Sequence, residues 1–265
     1  MSAVMHRERT VSLWGKQINP RVFVGGEGPP VVFLHGAGGL LWDDFLDALA
    51  RRHTVYAPEF PGTSPGEYEA IKVLDDWHDL VVYYSELIDA LGVEDVALVG
   101  HSFGGMIAAE IAAANPRSIA KLVLLAPLGL WRDDTPIPPW LSMNAAELSK
   151  LFFHDQTIAQ RFMLSPDAAA AQPEVLIAAT WALACAGKFT WPIPDRGLRD
   201  RMHRISAPTL LVWGDEDALV PPVYAQDFKA GLTDARLAMV ENAGHALIHE
   251  RPAETARAVV DFLNI

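Results

Sequence analysis

The chain has 265 residues, a formal net charge of −12 at pH 7 and hydrophobic side chains at 51% of its positions. This length and composition suffice for one large domain or for a core with an insertion. The negative charge disfavours nucleic acid and anionic membranes as partners, because phosphate groups repel an acidic surface. The single cysteine, Cys185, excludes an internal disulfide and is typical of a reducing compartment.

The amino terminus carries no sign of a targeting segment. Its first nine residues mix charges early and contain no apolar region, which argues against a secretory signal. No apolar stretch approaches the roughly 20 residues that a membrane span requires. We therefore expect a cytoplasmic protein, and the oligomeric state is left open by the sequence.

Apolar runs typical of buried strands alternate with amphipathic segments typical of helices along most of the chain. The predicted strands are residues 31–34, 54–57, 96–99, 121–126, 209–213 and 236–240. The predicted helices are residues 41–51, 75–91, 106–115, 223–232 and 252–263. This alternation predicts an α/β fold with a mostly parallel, doubly wound sheet. The carboxyl ends of parallel strands share one edge of such a sheet, and ligands bind there.

The alternation stops between residues 128 and 206, where helical pieces, prolines and aromatic residues replace it. This predicts a mainly helical cap of residues 128–206, inserted into a core of residues 1–127 and 207–265. Most aromatic residues of a cap form its own core. A small cap has little interior, so some rings should face the ligand-binding edge and make the pocket apolar. The candidate pocket residues are His35, Gly36, Trp131, Trp140 and Trp181.

A serine flanked by glycines follows the predicted strand at 96–99. Residues 100–104 (GHSFG) join that strand directly to a helix. A turn this sharp strains its central residue, and only residues without a Cβ fit two positions before and after it. The pattern predicts a nucleophile elbow that holds the Ser102 hydroxyl at the carboxyl edge of the sheet.

Together with this elbow, three further segments resemble the α/β-hydrolase superfamily over essentially the whole chain. The first is residues 35–39 (HGAGG), directly after a predicted strand. In this family such a turn supplies one backbone N–H of an oxyanion hole, and the residue after the nucleophile supplies the other. The resemblance therefore implies Ala37 and Phe103 as the donors. A nucleotide site is disfavoured because the segment lacks the Gly-Lys-Ser/Thr ending and the G-x-G-x-x-G spacing.

The other two segments imply the remaining members of a Ser-His-Asp triad. In residues 213–221 (WGDEDALVP) the family pattern selects Asp217, with Asp215 as the alternative. In residues 242–245 (NAGH), His245 completes the order nucleophile, acid, base. A metal site at His245 and His249 is disfavoured because the glutamate of H-E-x-x-H is missing. We expect neither a metal nor another cofactor.

These assignments predict a hydrolase of small to medium, fairly apolar carboxylic esters, acting through an acyl-enzyme. The substrate is expected to be a small molecule, and lactones are included because they are esters. Ser102 would attack, His245 would accept its proton and Asp217 would orient the imidazole. One alternative is a carbon–carbon bond hydrolase of vinylogous diketones, although those enzymes typically carry a tryptophan where this chain has Ala246. The other alternative is a hydrolase-like ligand receptor.

Overall fold

Eight strands form one sheet in the computed structural model, which describes residues 4–163 and 172–264. The strands are β1 (His6–Thr10), β2 (Arg21–Gly25), β3 (Pro30–Leu34), β4 (Thr54–Pro58), β5 (Ala97–His101), β6 (Lys121–Leu125), β7 (Thr209–Gly214) and β8 (Ala235–Val240). Their order across the sheet is β1-β2-β4-β3-β5-β6-β7-β8. Strands β3 to β8 are parallel, whereas β2 pairs antiparallel with β1 and β4. The predicted mostly parallel sheet is confirmed.

Helices connect most of the parallel strands. They are α1 (Asp44–Ala50), α2 (Trp77–Leu91), α3 (Phe103–Ala114), α4 (Ala145–Phe152), α5 (Gln156–Phe162), α6 (Pro173–Thr190), α7 (Val223–Gly231), α8 (Leu247–Glu250) and α9 (Pro252–Leu263). Helix α1 packs against α9, and α2 packs against α3. Within the residues that the structure describes, every helix is too short or too polar to cross a membrane.

Side-chain caps determine where two of the helices begin. The carboxylates of Asp43 and Asp76 accept hydrogen bonds from the N–H groups of Leu46 and Asp79, three residues further along. Such bonds satisfy the free N–H groups of a first helical turn. Helices α1 and α2 therefore start at residues 44 and 77, later than the starts at residues 41 and 75 that apolar periodicity predicts.

The prediction omits β1 and β2. Strand β1 lies at the edge of the sheet and is largely exposed, so its sequence HRERT lacks the apolar alternation of a half-buried strand. Strand β2 does carry that signal, because Val22 and Val24 are buried while Phe23 between them is half-buried. This alternation is present in the sequence, and the prediction misses it.

The chain between β6 and β7 is mainly helical, and we call residues 128–206 the inserted segment. It contains α4, α5 and α6 together with short 3-10 helices at Trp140–Ser142, Leu198–Asp200 and Met202–Arg204. Trp140, Leu148 and Phe189 join it to the main hydrophobic core. Residues 164–171 of the predicted cap lie outside the described residues, and the division into core and cap stays a prediction.

Candidate active site

Ser102 occupies the sharp turn between β5 and α3. Its φ of 55° lies in the left-handed region that residues with a side chain rarely adopt. Hydrogen bonds hold this conformation: its N–H donates to the carbonyl of Leu125 at 2.9 Å, and its carbonyl accepts from Met106 at 3.0 Å and Leu128 at 3.1 Å. The strained turn is thus fixed by β6 and α3, and it leaves the hydroxyl at the carboxyl end of β5.

The two glycines of this turn allow backbone segments to approach closely. A Cβ at Gly104 would lie 2.1 Å from the carbonyl oxygen of Leu34. A Cβ at Gly100 would lie 2.4 Å from the carbonyl oxygen of Gly104. Both separations are far inside van der Waals contact, so neither position accepts a side chain without backbone movement. The structure therefore gives these glycines the steric role that the sequence predicts.

Ser102, His245 and Asp217 form a chain of hydrogen bonds. The Ser102 Oγ lies 2.7 Å from His245 Nε2, and His245 Nδ1 lies 2.9 Å from Asp217 Oδ2. Because a carboxylate can only accept, Nδ1 carries the proton, which leaves Nε2 free to accept the proton of Ser102. The three residues are only 4–5% exposed. Little bulk water therefore competes with these bonds.

Asp217 contacts His245, and the alternative Asp215 does not. The Oδ1 atom of Asp217 accepts the N–H groups of Leu219 at 2.9 Å and Val220 at 2.8 Å, which leaves Oδ2 for the imidazole. Asp215 is exposed, two residues earlier in the same loop. The sequence pattern therefore selects the acid that the fold brings to His245.

The turn of residues 36–39 lies against Ser102. A Cβ at Gly36 would lie 3.4 Å from the Cβ of Ser102, and the N–H of Gly39 closes the turn on the Gly36 carbonyl at 3.3 Å. Within the described part of the chain, the backbone N–H groups of Ala37 and Phe103 donate no hydrogen bond. Free N–H groups beside a hydroxyl are suited to bind an oxyanion.

Two further histidines support the backbone around the site. His101 donates from Nε2 to the carbonyl of His245 at 3.0 Å. His35 donates from Nδ1 to the carbonyl of Gly36 at 2.7 Å, and its Nε2 accepts the N–H of Phe60 at 3.1 Å. Burial lowers the pKa of His35, and burial together with the nearby His245 holds the pKa of His101 well below its ordinary value. Both rings are therefore neutral near pH 7 and act as hydrogen-bonding supports.

Aromatic rings pack close to both Ser102 and His245. The Phe152 ring centroid lies 5.9 Å from that of His245. Phe103, directly after Ser102, packs against Phe60 at 5.3 Å and Trp77 at 6.4 Å. Apolar rings therefore lie beside His245 and after Ser102, together with the neutral ring of His101.

Among the predicted pocket tryptophans, Trp181 lies on α6, directly before a residue that contacts the turn of residues 36–39. Its Nε1–H donates to the carbonyl of Gly62 at 2.7 Å. The next residue, Ala182, lies over the turn, because a Cβ at Gly39 would be 3.6 Å from its methyl group. This part of α6 therefore covers the turn that carries Ala37.

Trp131 and Trp140 lie in other surroundings. Trp131 is half-buried, and its Nε1–H donates to Asp133 at 2.9 Å. Trp140 is buried in the main core. Among the described residues, neither ring makes a hydrogen bond or a ring contact with Ser102 or His245. Their role in a pocket stays a prediction.

His249, the second residue of the disfavoured metal site, contacts other parts of the chain. Its ring stacks on Phe162 with the centroids 4.3 Å apart, and its Nδ1 lies 2.9 Å from the carboxylate of Asp43. Across the described ranges 4–163 and 172–264, no three His, Cys, Asp or Glu side chains are grouped closely enough to hold a metal ion. His249 therefore links α8 to α5 and to the start of α1.

One buried acid beside His245 is absent from the sequence prediction. Glu250 is 4% exposed, and its Oε2 accepts the N–H of Gly244 at 2.7 Å. The only local signal is an acid that closes the short segment ALIHE directly after His245. An acid at such a position more often faces solvent, so the sequence does not distinguish the two cases.

Comparisons with known proteins establish the family. The profile of the alpha/beta hydrolase family matches residues 31–258. A 2-hydroxy-6-oxo-6-phenylhexa-2,4-dienoate hydrolase from Comamonas testosteroni is 31% identical over 266 residues, covering 90% of this chain and 88% of that protein.

Two solved structures share the fold. The meta-cleavage product hydrolase CumD from Pseudomonas fluorescens IP01 has a TM-score of 0.77 at 22% identity, covering 97% of each chain. Naproxen esterase (carboxylesterase NP) from Bacillus subtilis has a TM-score of 0.75 at 18% identity, covering 98% of this chain and 92% of its own. The resemblance seen in the four sequence segments is confirmed, and the chain belongs to the alpha/beta hydrolase family.

Proposed function

We propose that the protein is a serine hydrolase that cleaves small to medium, fairly apolar carboxylic esters, lactones included, through an acyl-enzyme. The hydrogen-bonded chain from Ser102 through His245 to Asp217 carries this proposal. A serine hydroxyl is a weak nucleophile at neutral pH and needs a base within hydrogen-bond reach. The 2.7 Å between Ser102 Oγ and His245 Nε2 meets that requirement.

In the proposed acylation, Ser102 Oγ bonds to the carbonyl carbon of the ester while His245 Nε2 takes the hydroxyl proton. Asp217 stabilises the imidazolium that forms, through the bond at Nδ1. The N–H groups of Ala37 and Phe103 donate to the developing oxyanion, and each such donor contributes about 3 kcal/mol to the barrier reduction. The C–O bond of the ester then breaks, and the departing alkoxide takes the proton from His245.

Deacylation repeats these steps with water. His245 accepts a proton from a water molecule, and the oxygen of that water attacks the carbonyl carbon of the acyl group on Ser102. The tetrahedral intermediate collapses, the carboxylic acid leaves and Ser102 recovers its proton from His245. Every proton is thus returned, and the cycle needs no cofactor.

The apolar surroundings support uncharged substrates. The Phe152 ring packs against His245, Phe103 directly follows Ser102 and packs against Phe60, and Ser102 itself is 5% exposed. A charged acyl group would lose its hydration there without a cationic partner, which is costly. Neutral acyl groups that bury apolar area bind without that penalty.

A carbon–carbon bond hydrolase is the second candidate. The 31% identity to the Comamonas testosteroni hydrolase over 90% of this chain favours it. Ala246 weighs against it, because such enzymes typically carry a tryptophan directly after the catalytic histidine. A ligand receptor with the same fold remains the non-enzymatic alternative.

A substrate panel distinguishes these functions. The panel contains p-nitrophenyl esters of increasing acyl length, several lactones and a vinylogous diketone, each measured with the wild type and Ser102→Ala. We expect ester turnover in the wild type and a loss of about 10⁴-fold or more in Ser102→Ala. A diketone cleaved with a higher kcat/KM than every ester would favour the carbon–carbon hydrolase. Tight binding without turnover would favour the receptor, and wild-type turnover in folded Ser102→Ala would refute the serine mechanism.

A further inference from the structure

Residues 241–246, which we call the His245 loop, pack against residues 152–155, where α4 ends and α5 begins. The N–H of Ala246 donates to the carbonyl of Phe152 at 2.8 Å. A Cβ at Gly244 would lie 2.7 Å from the backbone nitrogen of His154 and 2.9 Å from the Phe152 carbonyl oxygen. The residues before, at and after position 245 therefore all contact one short part of the inserted segment.

A single buried carboxylate joins the two segments. Glu250 accepts the N–H of Gly244 on Oε2 and the N–H of Asp155 on Oε1, each at 2.7 Å. In the described part of the chain, no Lys, Arg or His lies within ion-pair distance of it. A buried carboxylate without a cation depends on its N–H donors, and bonds to a charged acceptor are the stronger kind. Glu250 therefore holds both N–H groups at fixed positions.

We propose that Glu250 is a positioning residue for His245. Its carboxylate holds the His245 loop against residues 152–155. The inserted segment then sets the alignment of the base in addition to covering the site. Glu250 binds the N–H one residue before His245, so a displaced Gly244 moves the imidazole relative to Ser102 Oγ. A misplacement of about 1 Å lowers rates by up to about 100-fold. This inference rests on the proposed function, in which His245 is the base.

Two glutamine substitutions test the role of Glu250. Glu250→Gln keeps the size of the side chain but replaces one acceptor oxygen with an NH₂ group, so one of the two N–H bonds is lost. Glu110→Gln is the matched control, because Glu110 is also 4% exposed but pairs with Arg201, away from the His245 loop. With a p-nitrophenyl ester we expect Glu250→Gln to lower kcat about tenfold or more with KM within about twofold. Glu110→Gln should keep kcat within about twofold of the wild type, even where its melting temperature falls.

A second pair of variants tests the same link from the other side. Asp155→Pro removes the N–H that Glu250 binds, whereas Asp155→Ala retains it. Both remove the carboxylate that caps α5, so the two variants differ only in the N–H group and the proline ring that replaces it. The φ of −86° at Asp155 is close to the range that proline adopts. We expect a lower kcat for Asp155→Pro than for Asp155→Ala. Combining Asp155→Pro with Glu250→Gln should lower kcat little further, because both substitutions break the connection that Glu250 makes between Gly244 and Asp155.

A spectroscopic measurement separates this inference from the proposed function. We expect the proton between His245 Nδ1 and Asp217 to give a low-field NMR resonance, which would report the alignment of the ring without any substrate. It should shift or broaden in Glu250→Gln and remain unchanged in Glu110→Gln. An unchanged resonance with wild-type kcat in Glu250→Gln, or equal kcat in the two Asp155 variants, would overturn the positioning role. If the wild type hydrolyses nothing in the panel, the proposed function fails, and the resonance still decides the role of Glu250.

Discussion

Asp217 has two roles that different substitutions separate. Its Oδ2 accepts from His245 Nδ1, and its Oδ1 accepts the backbone N–H groups of Leu219 and Val220. Asp217→Asn keeps an oxygen for the backbone groups but turns an NH₂ group toward Nδ1. Nδ1 must then accept, so the proton moves to Nε2, and the imidazole no longer has a free nitrogen for the Ser102 proton.

Activity and stability should therefore change separately. We expect Asp217→Asn to lower kcat/KM by about 10⁴-fold, while the free energy of unfolding stays within about 1 kcal/mol of the wild type. Asp217→Ala leaves the N–H groups of Leu219 and Val220 without an acceptor. Each buried unpaired group costs about 1–3 kcal/mol, so the free energy of unfolding should fall by about 2–6 kcal/mol alongside a similar loss of activity.

The assay compares kcat/KM for a p-nitrophenyl ester with urea unfolding for the wild type, the two Asp217 variants and Asp215→Asn. Asp215 is exposed, and its Oδ1 accepts the N–H of Ala243 at 3.3 Å, a bond that the amide oxygen in Asp215→Asn can keep, so this variant serves as the control in the same loop. Its variant should change kcat/KM by less than about twofold and unfolding by less than about 0.5 kcal/mol. Wild-type activity in folded Asp217→Asn, or a larger loss in Asp215→Asn, would refute the assignment of the acid.

Two further predictions concern stability. Gly104→Ala would place a methyl group 2.1 Å from a backbone oxygen of β3, so we expect a strong loss of folded protein in thermal unfolding, and a wild-type melting temperature would contradict the packing argument. Burial lowers the pKa of His35 and His101, so below the ordinary histidine pKa of about 6.5 the unfolded chain binds protons that the folded chain does not. The stability that these two neutral histidines contribute should thus be fully present above about pH 6.5 and be lost as the pH is lowered further. A melting temperature that rises on acidification would contradict this.

The fold class was predictable because its signals are local. Buried strands and amphipathic helices alternate along the chain, and the glycines around Ser102 report a steric requirement of one turn. The order of Ser102, Asp217 and His245 also follows from segments that each lie directly after a strand. Strand β1 was not predictable in this way, because an exposed edge strand buries no face and carries no apolar period.

The contacts of the inserted segment were not predictable from the sequence for a different reason. Glu250 binds the N–H of Asp155 across 95 positions of the chain, and no local pattern indicates which backbone group will face a buried acid. The same holds for the tryptophans, since the orientation of each ring depends on how helices joined by irregular segments pack. Trp181 donates to the carbonyl of Gly62, whereas Trp140 is buried in the main core.

Covalent labelling with a fluorophosphonate tests the central claim most directly, because such a reagent reacts with a serine hydroxyl that a neighbouring base activates. The account predicts one label on the peptide that contains Ser102, a parallel loss of ester hydrolysis as labelling proceeds, and much slower labelling in His245→Ala. A label on another residue, or hydrolysis that continues after Ser102 is fully modified, would contradict it.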